Sequence, residues 1–292
     1  MRVRDLKSPS KDELVSYQRR GCFDEHLVTF YSLAYGKPYI YRDTYLLYSD
    51  PLTKTLSVFL FELGKKEHML QCVKTALSAF KPNRFLVDSP EELPLDIGNY
   101  HRERIFVDKD YQINLREFDE NLRGKAYEKL RYRVNNAKKR GYVLKVDKKM
   151  TAAHSFVIAS HMTKEIYNVW DYQLYLAINE YVTRFSSPRF FNVFLNGELV
   201  GFDLVDFTDT VMIVPLGFIL ASHPSLSDFL MFEEVIYAKK QGLDWLDVGW
   251  SCDPGLEEFK KKWTAIPRFT VYVQEYFRKD VSSTRITAQD IQ

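Results

Sequence analysis

Residues 246–263 read LDVGWSCDPGLEEFKKKW. Leu246, Val248, Gly249 and Trp250 form a short apolar run that ends on glycine, the pattern of a buried strand. Asp253-Pro254-Gly255 is turn chemistry, and GLEEFKKKW then has helical spacing. A helix that covers a sheet needs apolar residues three and four apart, and Leu256, Phe259 and Trp263 supply them. The three lysines between the aromatics are not needed for packing. They form either the solvated back of the helix or a charge aimed at something.

The wider chain repeats this order of elements. In the first half, TLSVFLFELG (55–64) reads as a strand, KEHMLQCVKTALSAF (66–80) as an amphipathic helix, and NRFLVDSPEELP as a strand entering a proline-bounded loop. In the second half, TVMIVPLGFIL (210–220), SLSDFLMFEEVIYAKKQG (225–242) and DWLDVGWSCDPG follow the same sequence of strand, helix, strand and loop. The repeat is one of elements, not of residues. It predicts two similar halves, 1–107 and 108–292, of which the second carries the chemistry and the first is structural. Within the second half, a helix over 123–140 ending at Gly141 leads into YVLKVD. Residues 152–185 are mostly helical, and three strands follow, the first two joined by Asn196-Gly197, a strong hairpin signal. RFTVYVQEYF is the last strand. An antiparallel meander, a helix and a splayed parallel strand predict an α+β fold with an open mixed sheet, not a barrel.

Composition narrows the function classes. The chain has 292 residues, nearly half of them apolar, enough for a large core. It shows neither a membrane-length apolar stretch nor a secretory signal at its polar start, which predicts a cytoplasmic protein. Cys22, Cys72 and Cys252 are too far apart to suggest a disulfide framework or a zinc site, so no metal is expected. The net charge is +2, but residues 121–150 hold eleven basic side chains against Glu128 and Asp147. A local +9 in an otherwise acidic chain attracts a polyanion: a nucleotide, an RNA backbone or an anionic lipid surface.

The motifs resemble one branch of the GNAT acyltransferase superfamily. KLRYRVNNAKKRGYVLKV is similar to the basic helix and glycine that lead into the catalytic half of Fem-type aminoacyltransferases and lysyl-phosphatidylglycerol synthases. NGELVGFDLVDF resembles their central hairpin. GLDWLDVGWSCDPGLEEFKKKWTA resembles their closing signature, a glycine-ended strand followed by a Gly-Leu helix start and Phe-Lys-x-x-aromatic-Gly-Ala. The resemblance covers roughly residues 100–275 in motif and the first hundred in architecture. It implies a tandem GNAT-like fold, with mixed, mostly antiparallel sheets flanked by helices. Thr264 stands where the signature has glycine. The loop ASHPSLSD replaces the glycine-rich pyrophosphate loop of acetyl-CoA enzymes, and Pro224 removes a backbone donor there.

What the resemblance implies is transfer of an acyl or aminoacyl group from an activated donor, an aminoacyl-tRNA or an acyl-CoA, to an amine, with no tightly bound cofactor. The runners-up are an acyl-CoA N-acetyltransferase and a non-catalytic binder of RNA or anionic lipid. Arg131, Arg133, Lys138 and Lys139, with Ser225 at the next helix start, are the donor-binding residues, because guanidinium and ammonium groups suit phosphate. His223 and Glu233, or its neighbour Glu234, are candidates for a base. Asp247, Trp250 and Phe259 are assigned to the acceptor cleft, although Asp247 also suits a bond to the loop after its strand and Trp250 also suits the core. Cys252 has no triad spacing around it and direct attack needs no nucleophile. Lys260 takes the place of the acid tyrosine of common acetyltransferases and matches the Fem-type Phe-Lys. About 100° from Phe259, it lies at the edge of the buried stripe, whereas Lys261 turns to solvent. Nothing in the sequence bears on oligomeric state.

Overall fold

The computed structural model describes residues 5–21, 27–60, 66–162, 169–223, 225–251 and 253–280. In the first half they form β1 (Leu6–Lys7), α1 (Lys11–Arg20), α2 (Val28–Ala34), β2 (Lys37–Tyr41), β3 (Tyr45–Asp50), β4 (Thr55–Phe59), α3 (Lys66–Phe80) and β5 (Arg84–Ser89). The long strand β6 (Tyr100–Asn114) leads to α4 (Glu128–Lys138), β7 (Val143–Asp147), α5 (Ala152–Met162) and α6 (Val169–Arg184). There follow β8 (Arg189–Leu195), β9 (Glu198–Phe207), β10 (Val211–Ile219), α7 (Leu226–Lys240), β11 (Trp245–Trp250), α8 (Pro254–Lys262) and β12 (Ile266–Arg278).

All twelve strands join one sheet in the order β1-β2-β3-β4-β5-β12-β6-β11-β10-β9-β8-β7. The repeated strand-helix-strand unit is present twice. β4 and β5 pair in parallel across α3, and β10 and β11 pair in parallel across α7. The other pairings are antiparallel. At the centre the halves exchange strands. β6, which follows β5 in the chain, pairs with β11 of the second half, and β12, the last strand, returns to pair with β5 of the first. β6 and β12 also pair with each other along their length. Residue 107, the expected boundary, lies inside β6.

Local chemistry explains the elements. Asn196 (φ 52°) and Gly197 (φ 88°) supply the two left-handed residues of a tight β8–β9 turn. Asp253 caps α8 by accepting from the Leu256 N–H at 2.9 Å, with Pro254 at the first helical position. α4 begins later than the expected residue 123. Leu122 (φ 52°) and Gly124 (φ 88°) break the helical path, Asp119 holds the Arg123 N–H, and a single 3-10 turn over 125–127 precedes the helix. Strand β4 is likewise shorter than the expected 55–64, and residues 61–65 lie outside the described residues.

One face of the second half is covered by α4, α7 and α8. Its core joins Leu130 and Val134, Phe229 and Val235, and the fully buried Trp263 to Met212 and Leu246 of the strands. Burial of an aromatic of that size contributes about 2–3 kcal/mol. The opposite face packs on α6 and on α2, whose Phe30 and Ala34 enter the second-half core while Val28 and Tyr31 enter the core of the first. Of the early tyrosines, Tyr31 and Tyr35 join a cluster with Val271 and Trp250 of the second half, and Tyr39, Tyr41 and Tyr45 join one that includes Tyr276 of β12.

Candidate functional site

β10 and β11 pair only over Val211–Ile213 and Trp245–Asp247. Beyond that, irregularities between Ile213 and Leu216 and between Asp247 and Gly249 part the strands. Three elements reach this splay on the α4, α7 and α8 face, and each carries charge.

From α8 comes Lys260. It is only 3% exposed, which is rare for lysine. Its ammonium donates to the Gly249 carbonyl at 2.7 Å and to the Trp250 carbonyl, and it lies 6.0 Å from the centre of the Tyr111 ring. A positive charge is thus fixed at the end of β11. The other two lysines of the run differ. Lys261 is exposed and pairs with Glu257 at 3.0 Å and Glu258 at 3.2 Å. Lys262 is half-buried against Asp228 of α7 at 2.5 Å, where burial pulls its pKa down and Asp228 opposes that pull. Asp228 also accepts from the Trp263 indole at 3.2 Å and lies 3.7 Å from Arg133 of α4, so one buried carboxylate joins α4, α7 and α8.

From α7 and β9 comes a carboxyl pair. Glu234 and Asp203 are both buried, and both are raised in pKa: Asp203 to about 6, chiefly by burial, and Glu234 further, by burial and by Asp203. Glu233, the residue chosen from sequence, is half-buried and makes no hydrogen bond or ion pair among the described residues. Two aspartates in the apolar run of ELVGFDLVDF, Asp203 and Asp206, were the available signal, and both are buried. The partner of Asp203 is 31 positions away and could not be read from the sequence.

The basic segment divides in two. Arg131 donates to the Leu122 carbonyl at 2.5 Å, Arg133 faces Asp228, and Lys138 sits 3.9 Å over the Phe232 ring. These contacts tie three of the donor-binding candidates to the neighbours of α4, and Arg133 and Lys138 stay exposed. Lys139 is exposed without such a contact among the described residues. Lys125 and Lys129, which sequence reasoning did not single out, line a cavity of about 660 Å³ with Glu128, Leu130, Glu258, Lys261, Lys262 and Thr264. It lies between the start of α4 and the end of α8.

The remaining candidates are spread around the splay. His223 lies in the turn after β10, its ring 6.4 Å from Tyr142. Ser225 (φ 65°) begins α7, and its hydroxyl caps nothing. Asp247 is buried, accepts from the Gly249 N–H at 2.8 Å and meets Arg268 of β12 at 3.2 Å. Arg268 is also 3.5 Å from Asp110 of β6, so this cluster links the three central strands. Trp250 packs toward the α1–α2 side, and Phe259 lies on the other face, under the Lys262 ammonium at 4.5 Å. Pro224 and Cys252 lie outside the described residues. Among the described residues there is no metal-binding group of three or more His, Cys, Asp or Glu side chains, and no helix is long and apolar enough to cross a membrane.

No protein-family model matches the sequence, and no curated protein matches it. Solved structures do match in fold. A conserved protein of unknown function from Bacteroides thetaiotaomicron aligns over 94% of this chain and 99% of its own, with a TM-score of 0.60 and 12% identity. L-PGS from Bacillus licheniformis aligns over 94% of this chain and 93% of its own (TM-score 0.58, 16% identity), and FemX over 91% and 96% (0.56, 13%). The chain has the tandem GNAT-like fold of the Fem and lysylphosphatidylglycerol-synthetase type.

Proposed function

We propose that the second half is a transferase site that moves an acyl or aminoacyl group from an activated donor to an amine. The observation that carries this reading is Lys260, a buried ammonium on the carbonyls that end β11, beside the strand splay of a GNAT-like fold. A fixed cation in a water-poor site stabilises the oxyanion that forms when nitrogen attacks the donor carbonyl. The C–N bond forms, the carbon–oxygen or carbon–sulfur bond breaks, and the nitrogen proton passes to the leaving atom. The glycine-free loop before α7 favours an aminoacyl ester over CoA. Phosphates of such a donor meet the basic face of α4, through Lys125, Lys129 and Lys139 and the exposed Arg133 and Lys138.

The test is single-turnover transfer from labelled aminoacyl-tRNAs and acyl-CoA thioesters to hydroxylamine, a generic amine. Lys260→Met should slow it on the order of a hundredfold, as for a lost oxyanion donor, and Lys261→Met should leave it nearly unchanged. Equal small effects would return Lys260 to a structural role. Binding of RNA that weakens steeply with salt, without transfer from any donor, would leave the chain as a non-catalytic binder.

A further inference from the structure

The adjacent glutamates of α7 have opposite surroundings. Glu233 is half-buried, whereas Glu234, about 100° round the helix, has no exposure at all and faces Asp203 on the sheet. As carboxylates the two have no donor to offer each other, and neither Glu234 oxygen has a hydrogen-bond partner among the described residues. An unpaired carboxylate costs several kcal/mol to bury, so the pair retains one proton. Glu234 is the more strongly raised of the two and holds it. Its carboxylic acid then donates to Asp203, which keeps the single negative charge. No ion pair to a basic side chain neutralises that charge among the described residues. Asp228, a few residues earlier on the same helix, has Lys262 and Arg133.

Asp203 also has an outlet. Gly217 of β10 is its register partner and is exposed, and a Cβ built there would come within 2.4 Å of the Asp203 Oδ1. The carboxylate leans over a bare Cα, in the space that a Cβ would take. This point lies just past Ile213, where β10 has left β11. A Cβ on Gly201, two residues before Asp203 on the same strand, would meet Leu226 of α7 at 2.8 Å, so Asp203 shares the helical face with Lys260. Asp203 keeps 9% exposure, and Glu234 closes the site behind it.

We propose that Asp203, backed by the protonated Glu234, is the subsite that receives the ammonium group of the acceptor. This rests on the reading above that the acceptor is an amine. A primary ammonium offers three donors and one positive charge, the complement of a carboxylate with no basic partner among the described residues. In the transfer, the ammonium gives one proton to Asp203 and the freed lone pair attacks the donor carbonyl. The second nitrogen proton leaves with the departing oxygen or sulfur, and Asp203 returns its proton to water after the product has gone. A base whose pKa lies near the working pH suits this role.

The test uses the full chain with ¹³C-labelled Asp and Glu carboxyl groups at pH 7.5, titrated with n-butylammonium and, as a neutral control of similar shape, n-butanol. A saturable shift of the Asp203 and Glu234 resonances with n-butylammonium alone is expected. Followed at Glu234, half-saturation should need at least tenfold more amine in Asp203→Asn. In Glu234→Gln, which still offers a donor to Asp203, it should change by no more than a few-fold. The site is overturned by the absence of a saturable shift, by an equal response to n-butanol, or by undiminished binding in Asp203→Asn. If a variant fails to fold, the amine and alcohol arms on the unmodified chain still decide. No donor is present in this experiment, so the two readings fail separately. Transfer without the shift removes this subsite only, and the shift without transfer from any donor removes the transferase reading only.

Discussion

The two strand-helix-strand crossovers are built alike and filled differently. In the first half β4 and β5 pair over five positions, and α3 buries Met69, Cys72, Val73, Thr75, Ala76 and Leu77, none of them charged. In the second half β10 and β11 part after three positions, and α7 buries Asp228 and Glu234. β5 is followed by the proline-bounded loop, whereas β11 is followed by α8 with Lys260. The helix of the first crossover thus closes over its sheet with neutral side chains, although β5 buries Asp88. Buried charges cost free energy, so a charged inner face on the crossover helix is not a requirement of the fold. It sets the crossover of the proposed site apart from the other.

The largest expected effect comes from separating the halves. β12 pairs with β5 at six positions and with β6 at twelve, and α2 contributes to both cores. A fragment of residues 108–292 loses β5 and half of β6, which leaves 272–278 of β12 without a partner on either side. It should show no cooperative thermal transition, whereas the whole chain should melt in one step. A fragment that melts as sharply and as high as the full chain would show the second half to be self-sufficient, and the comparison would then be between two independent domains.

Next is the charge that ties the second crossover together. Asp228→Ala strands Lys262 and the Trp263 indole in a buried site and frees Arg133. Removal of one partner from such a cluster should destabilise the chain by about 3 kcal/mol in urea unfolding. Cys72→Ala, in the neutral helix α3, should cost less than half of that, since only a small apolar contact is lost. Equal losses would mean that the two helices are held in the same way.

The parts of this comparison that could be read from sequence are local. Apolar periodicity and turn residues outlined both crossovers and the Asn196-Gly197 hairpin, and helical geometry separated the buried Lys260 from the exposed Lys261. What could not be read is pairing over distance. Nothing in YHRERIFVDKDYQIN indicates that it leaves its own half, because an exchanged strand has the same alternation as one that stays. Arg131, Arg133 and Lys138 have the composition of a phosphate site, and their contacts with Leu122, Asp228 and Phe232 could not be read from the sequence. The pairing of Glu234, a candidate from sequence, with Asp203 was hidden for the same reason.

That pair gives the third effect, which depends on pH. Burial raises Asp203 from the ordinary carboxylate range to about 6, so the folded chain holds a proton that the unfolded chain releases earlier. Stability from this source is fully present below the ordinary carboxylate pKa and is lost as pH rises through about 6. Asp203→Asn removes the titration. At pH 8 the variant should be more stable than the unmodified chain by on the order of 2 kcal/mol, and the gap should close toward pH 4. A gap that does not change with pH would show that Asp203 is not held in a costly ionised state.

The smallest effect lies at the end of the helix that only the second half has. α8 closes in a Schellman arrangement: the Ala265 N–H bonds to the Lys260 carbonyl at 3.1 Å and the Thr264 N–H to that of Lys261 at 2.9 Å. This places Thr264 at φ 61°, a left-handed conformation that a β-branched side chain resists. The strain is about 1–2 kcal/mol, and the extra backbone freedom of glycine offsets about 0.5–1 of it. Thr264 is exposed, so little packing is lost. Thr264→Gly should therefore stabilise the chain by about 0.5–1 kcal/mol and raise the melting temperature by about 2 °C, while Thr264→Ala, which keeps a Cβ, should gain less. The same carbonyls that receive these bonds belong to Lys260 and Lys261, so the turn fixes the end of the helix from which Lys260 reaches Gly249 and Trp250. If Thr264→Gly stabilises the chain but leaves single-turnover transfer unchanged, the strained turn serves only to end α8. If it stabilises the chain and slows transfer, the threonine holds the turn in a geometry on which the Lys260 ammonium depends.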